Sequence, residues 1–154
     1  MKISVIIPCY NEENYINRIV DDILKKNKDL SLEIIVIDDA SKDKTKEIIT
    51  KLVDKKIINK ALFNETNKGK GFCIKRGINI SSGDIIIIQD ADLEYDPAEY
   101  TKLLRPILLD KADVVFGSRF LGSDNKRVLY FWHRVGNFIL TLLSNIFSNL
   151  NLTD

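Results

Sequence analysis

With 154 residues, 45% of them hydrophobic and 29% charged, the chain is long enough to bury a real core and fits one domain. A net charge of +1 gives no reason to expect nucleic acid as a partner, and no run of eighteen or more apolar residues offers a membrane span. Cys9 and Cys73 form neither a CxxC pair nor a disulfide framework, which suits a reducing cytoplasm. The opening MKISVIIPCYNEE reaches charge too soon for a secretory leader, so a soluble or peripheral cytoplasmic chain is expected. The charge is uneven: residues 42–76 hold eleven Lys/Arg against four Asp/Glu, about +7, which leaves about −6 elsewhere. No aromatics interleave as in a nucleic-acid groove, so Lys-faced surface helices are the reading.

Strand-like runs alternate with helical patterns. ISVIIP (3–8) precedes a helix with Tyr15, Ile16, Ile19, Ile23 and Leu24 on one face. LEIIVID (32–38) precedes a second helix, with Ser41 as a plausible N-cap and Ile48, Ile49, Leu52 and Val53 as its stripe. A weaker strand lies around Ile57 to Phe63, and NKGKGFCIKRGINISSG supplies a Gly-opened helix. DIIIIQ reads as a strand buried on both faces, followed by a helix from Pro97 to about Leu109 and a strand in ADVVFGSR. This order predicts an α/β, Rossmann-like domain with a mostly parallel central sheet and helices on both faces. From Val128 to Leu150, apolar residues at three-four spacing predict an amphipathic C-terminal helix. Its polar face carries no charge after Arg134, so packing against protein is favoured over membrane binding, and an uncovered stripe predicts a homo-oligomer through 128–150.

The isoleucine run stops at DADLEYDP, with carboxylates at Asp90, Asp92, Glu94 and Asp96. Either a divalent metal neutralises them or the stretch is a solvated turn before the helix at Pro97. Four predicted strand ends bring Glu12, Asp38, Asp39, Asp90, Asp92 and Arg119 to one rim, the edge where open α/β sheets bind ligands. Hard oxygen donors favour Mg²⁺ or Mn²⁺ over zinc, and such an ion keeps waters and phosphate among its ligands. Tyr10 is placed either to stack on a base, with Pro8 shaping the turn beneath it, or to sit half-buried at a strand end. Asp39 either accepts from a base or ribose or caps the following helix. Gly69 and Gly71 match neither a P-loop nor GxGxxG and read as a permissive helix entry.

Taken together and in order, VIIPCYNEE, IIVIDDASKDKT, NKGKG, IIIIQDADLEYDP and VVFGSRF resemble glycosyltransferase family 2, most nearly its polyprenyl- and dolichyl-phosphate mannosyltransferase-like branch. The resemblance implies a GT-A fold, a GDP- or UDP-hexose donor and a divalent metal, Mg²⁺ or Mn²⁺. It assigns Pro8, Tyr10, Glu12, Ile37, Asp39, Asp90, Ala91 and Asp92 to the nucleotide sugar, and Asp90, Asp92 and Glu94 to the metal. Glu94 stands where the dolichyl-phosphate enzymes often place a glutamine. Asp92 and Arg119 are the catalytic residues it implies, with Arg119 and His133 on the side of the acceptor phosphate; Arg127 and Arg134 are further candidates there because a guanidinium grips phosphate bidentately. For His133, a structural role beside Trp132 is the alternative.

An inverting transfer to a polyprenyl phosphate needs no strong base, because a phosphate monoester with a second pKa of about 6 is already anionic. The protein's work is then to position the reactants and stabilise the leaving diphosphate. A lipid-phosphate acceptor implies the cytoplasmic face of the membrane as the working place. Relatives continue beyond the segment that ends here at Asp154, so 1–154 reads as a catalytic domain incomplete at its C-terminus. Two rival readings remain: a catalytically silent nucleotide-sugar-binding module, and a receiver-like signalling domain suggested by VIDD. A receiver wants one isolated aspartate and a later lysine, which the DADLE cluster and Arg119 fit poorly.

Overall fold

The computed structural model describes residues 1–117 and 131–149, except the side chains of Phe131, His133 and Arg134. Two compact units divide the chain, Met1–Thr101 and Lys102–Asp154.

The first unit is built on four strands: β1 (Lys2–Cys9), β2 (Ser31–Asp38), β3 (Lys60–Phe63) and β4 (Ile85–Ile88). They pair in the order β3-β2-β1-β4, and every pairing is parallel. Parallel neighbours need crossovers, which α1 (Ile16–Lys26), α2 (Thr45–Asp54) and α3 (Lys70–Ile80) supply. The chain steps from β1 to β2 to β3 and then jumps back past β1 to β4. Right-handed crossovers therefore put α1 and α2 on one face and α3 on the other. β1 and β2 lie at the centre and bury Val5, Ile6, Ile7 and Ile34–Ile37 almost completely. α3 comes close because Gly77 has no side chain: a Cβ there would stand 2.5 Å from Ile6 Cγ2.

Several elements differ from their sequence reading. The buried face of α1 is Ile16, Ile19, Val20 and Ile23, while Tyr15 and Leu24 lie exposed at its margins. In α2 the buried residues are Thr45, Ile49 and Leu52. Ser41 caps nothing, since α2 begins at Thr45 and its N-terminus has no side-chain cap; the Ser41 hydroxyl instead accepts from the Asn11 N–H. β4 is not buried on both faces: it is an edge strand among the described residues, and Ile86 and Ile88 are exposed. The helix expected from Pro97 begins as a 3-10 turn, Pro97–Glu99, and continues as α4 (Tyr100–Leu108), with Asp96 capping the turn through Ala98 N–H.

In the second unit, residues 112–117 of the expected fifth strand are not in a sheet, and Ser118 and Arg119 lie outside the described residues. Helix α5 (Phe131–Ser148) forms where the three-four spacing placed it. Among the described residues, its apolar side chains Phe138, Ile146 and Phe147 are strongly exposed. Among the described residues no helix is long and apolar enough to cross a membrane.

Candidate nucleotide-sugar site

The loops that follow β1, β2 and β4 emerge from one edge of the sheet, and the first two are laced together. Asn11 N–H donates to Ser41 Oγ (2.9 Å), Lys42 N–H returns to Asn11 Oδ1 (2.8 Å), and Glu12 N–H donates to Thr45 Oγ1 (2.8 Å). Each of the three loops holds one non-glycine residue in the left-handed region: Asn11 (φ 58°), Ala40 (φ 62°) and Leu93 (φ 62°). Such a conformation costs about 1–2 kcal/mol per ordinary residue and persists only where the surroundings over-determine it.

A cleft of about 220 Å³ opens between the ends of β1 and β4. This is the point where the strand order reverses, the place at which an open parallel sheet receives its ligand. Its buried wall is Pro8, Cys9, Cys73 and Ala91, while Tyr10, Glu12, Lys70, Asp90 and Asp92 line its more open part. Small-molecule pockets span roughly 300–1,000 Å³, so the cleft would enclose part of a nucleotide sugar and leave the rest open.

Asp39 also lines the cleft, but it is 4% exposed and already committed. Its Oδ1 accepts from Asn64 Nδ2 (2.6 Å) and Lys68 N–H (2.9 Å), and its Oδ2 from Gly69 N–H (2.7 Å). Burial alone would raise its pKa; these hydrogen bonds outweigh burial and hold the carboxyl below its ordinary range. Asp39 therefore fixes the start of α3, where Gly69 takes a φ of 87° that favours glycine, as the reading of a permissive helix entry expected. It does not cap the helix that follows it.

The acidic side of the cleft is unbalanced. The Glu12 carboxyl is pushed above its ordinary range, first by burial and then by the charges of Asp92, Asp43 and Asp90. Asp92 Oδ1 accepts from Glu94 N–H (3.1 Å), and Asp90 is gripped by Lys70 Nζ at 2.6 Å from Oδ1 and 2.8 Å from Oδ2. Beneath them lies Gln89, 2% exposed. Its Nε2 donates to the carbonyls of Asp90 and Tyr95, both at 3.1 Å, while its Oε1 accepts from the Tyr100 hydroxyl at 3.0 Å. No three His, Cys, Asp or Glu side chains among the described residues stand close enough together to hold a metal. In the more open part of the cleft, however, the side chains that could meet a cation are mainly the carboxylates Glu12, Asp90 and Asp92, while the thiols of Cys9 and Cys73 lie in the buried wall. Carboxylate oxygens suit a hard divalent ion which takes one or two protein ligands and fills its other positions with water and phosphate.

Seven residues anticipated from the sequence thus meet at the cleft: Pro8, Tyr10, Glu12, Asp39, Asp90, Ala91 and Asp92. Ile37 is elsewhere, fully buried in the core with Ile6, Ile35 and Cys73. Glu94 does not line the cleft, and Asp38 is a buried residue whose Oδ1 has no hydrogen-bond partner. Arg119 and Arg127 lie outside the described residues, as do the side chains of Arg134 and His133. Lys70 and Gln89 escaped the sequence reading. NKGKG drew notice for its glycines, and a glutamine at a strand end carries no motif.

A parallel sheet with an acidic cleft at its switch point makes this an α/β domain of the GT-A-like class. Residues 4–150 match the family model described as glycosyl transferase family 2, and the chain belongs to that family. It is 36% identical over 121 residues to the dolichol-phosphate mannosyltransferase of Pyrococcus furiosus, covering 79% of this chain and 34% of that protein. It is 30% identical over 169 residues to the UDP-N-acetylglucosamine–dolichyl-phosphate N-acetylglucosaminyltransferase of Methanococcus voltae, covering 99% and 65%. Among solved structures, it superposes on the mannosyltransferase PcManGT of Pyrobaculum calidifontis, in complex with GDP-Man and Mn²⁺, with a TM-score of 0.55 and 26% identity. That match covers 63% of this chain and 29% of the other. The chain spans about one to two thirds of the length of the curated relatives it matches.

Proposed function

We propose that this chain carries the donor side of a metal-dependent, inverting glycosyltransferase that moves a hexose from a GDP- or UDP-sugar to a polyprenyl phosphate. The observation that carries the reading is the convergence of Pro8, Tyr10, Glu12, Asp39, Asp90 and Asp92 on one cleft at the switch point. The lipid-phosphate acceptors in the names of its relatives, and the GDP-Man and Mn²⁺ bound by PcManGT, support it.

In this reading Tyr10 offers a face for the base, and the loop fixed by Asp39 borders the ribose. Asp90 and Asp92 would hold the Mg²⁺ or Mn²⁺. When bound, that ion supplies positive charge to the diphosphate as it leaves. An oxygen of the acceptor phosphate forms the new bond to the anomeric carbon. The bond from that carbon to the diphosphate breaks, and its electron pair departs with the nucleoside diphosphate. The attacking oxygen is anionic already, so no side chain needs to take a proton. Arg119, in the GSRF motif, is the residue assigned to the acceptor phosphate, for which the guanidinium fork is suited. A membrane-resident acceptor would bring the chain to the cytoplasmic membrane surface as a peripheral protein.

A second reading, a nucleotide-sugar-binding module without transfer, is favoured by one observation: Asp90 is held by a lysine. Thermal unfolding with GDP, UDP and their hexose conjugates, with and without Mn²⁺, tests the donor site. Ligand at a hundred times its dissociation constant adds about 2.7 kcal/mol, a rise of roughly 5–10 °C. The expected result is a Mn²⁺-dependent rise for one nucleotide, lost in Asp92→Asn. No rise with any of them overturns both readings, and binding without sugar transfer in the complete protein leaves the second.

A further inference from the structure

Lys70 is the first residue of α3 and, among the described residues, the one cation that lines the cleft. Its ammonium lies 2.6 and 2.8 Å from the two oxygens of Asp90, although the lysine side chain is 57% exposed and free to choose water. The contact is built from both sides. Asp39 holds the Lys68 and Gly69 N–H groups and so fixes where α3 starts. Gln89 holds the Asp90 carbonyl from beneath. Both anchors, Asp39 and Gln89, are at least nine-tenths buried, so the lysine and the aspartate approach each other from fixed backbones.

Resting on the donor-site reading above, we propose that Lys70 is a built-in counter-ion. It occupies Asp90 in the empty cleft, excludes a free divalent ion from it, and passes to the diphosphate when the nucleotide enters. The electrostatics favour an exchange of this kind. A bound divalent ion and an ammonium cannot both sit at 2.6 Å from Asp90 without strong mutual repulsion. A diphosphate resolves the conflict by giving the lysine new oxygens as it gives the ion new ligands. A lysine suits this duty because its ammonium is a point charge on a flexible stem, able to swing between two anions. Lys70 is thus a positioning residue that couples metal binding to nucleotide binding. Metal alone binds weakly, nucleotide alone meets an acidic cleft, and the two together bind well.

The test compares the wild type with Lys70→Met and Lys70→Arg in two assays. Free Mn²⁺ is read by electron paramagnetic resonance without nucleotide, and GDP or UDP binding is read by calorimetry in saturating Mn²⁺. Because Lys70 is exposed, all three proteins should unfold at similar temperatures, which circular dichroism checks. Lys70→Met is expected to bind Mn²⁺ alone about fivefold tighter, the scale of a part-exposed ion pair, and to bind the nucleotide about tenfold more weakly. Lys70→Arg should stay near the wild type in both. Mn²⁺ affinity that is unchanged or weaker in Lys70→Met, including no binding to any of the proteins, overturns the proposal. If the wild type still binds nucleotide with Mn²⁺ in that case, the donor site stands and only the counter-ion role falls. If Lys70→Met gains Mn²⁺ but no protein binds nucleotide, the lysine does guard Asp90 while the transfer to diphosphate, and the donor site with it, is refuted.

Discussion

The two edges of the parallel sheet treat their carboxylates in opposite ways. At the edge where β1 and β2 begin, Glu33 stands directly opposite Ser4 in the strand register and is 2% exposed. It accepts from Ser4 Oγ (2.6 Å), Ser82 Oγ (2.7 Å), Ser82 N–H (2.8 Å) and Lys2 Nζ (3.3 Å), and Lys60 Nζ lies 2.9 Å away. Burial raises its pKa, but these bonds outweigh burial and hold the carboxyl far below its ordinary 4.5. At the opposite edge, Glu12, Asp90 and Asp92 share a cleft with one lysine, and Glu12 is pushed upward instead. A carboxylate whose lone pairs are all spoken for holds the fold together. Carboxylates that crowd one another destabilise the empty protein and leave charge for a ligand to neutralise.

The largest effect is expected at the satisfied edge. Glu33→Gln keeps the shape but turns one acceptor oxygen into a donor that faces other donors. The loss should be about 3 kcal/mol, a fall of roughly 6–12 °C in Tm by circular dichroism. The pH dependence has a definite sign. The folded pKa lies below the unfolded one, so Glu33 contributes its full stabilisation above about pH 4.5 and loses it as the pH falls below that value. The acid limb of the wild-type stability curve should therefore flatten in the variant. A Glu33→Gln protein within 1 °C of the wild type, with the same acid limb, would erase the distinction between the two edges.

A smaller effect tests how the acidic edge is held. The Tyr100 hydroxyl donates to Gln89 Oε1 in a buried contact, and Gln89 in turn holds the carbonyls of Asp90 and Tyr95. Tyr100→Phe removes one bond and leaves an amide oxygen unpaired, at a cost of about 1–2 kcal/mol. Amide exchange in residues 90–95 should speed up more than in β1. Uniform acceleration throughout the first unit would mean that Gln89 supports the core and not the loop.

Only the acidic side of this contrast is legible in the sequence. Apolar runs mark the four strands of the first unit, three-four spacing marks α1, α2 and α5, glycine and proline mark the starts of α3 and the turn before α4, and the strand-end acids point to one rim. What stayed hidden depends on partners far along the chain. Glu33 looks like an ordinary strand residue until Ser82, 49 positions away, turns back to it. Lys70 meets Asp90 across 20 positions, and Gln89 meets Tyr100 across 11. The isoleucines of β4 read as doubly buried because composition reports apolarity, whereas burial of Ile86 and Ile88 depends on what packs over the face of the sheet they share. The same limit applies to Val114 and Phe116. Their β-branched and aromatic character favours a strand, yet both are exposed and outside any sheet.

The smallest effect carries the opposite sign from the first. Asp92→Asn is again an acid-to-amide change, but it removes a charge that helps to push Glu12 upward while keeping an oxygen for the Glu94 N–H. Glu12 has a raised folded pKa, so its favourable contribution is full below its ordinary 4.5 and is lost as the pH rises through the folded value. Taking away the Asp92 charge lessens that loss. Ligand-free Asp92→Asn should match the wild type at pH 4 and exceed it by about 0.5 kcal/mol at pH 7, and the Glu12 side-chain carbon should titrate lower by NMR. A variant less stable than the wild type at pH 7 would place Asp92 with Glu33, among the carboxylates that hold the fold. A variant that gains stability while losing its Mn²⁺-dependent nucleotide shift would show that the repulsion in this cleft is retained for the ligand it receives.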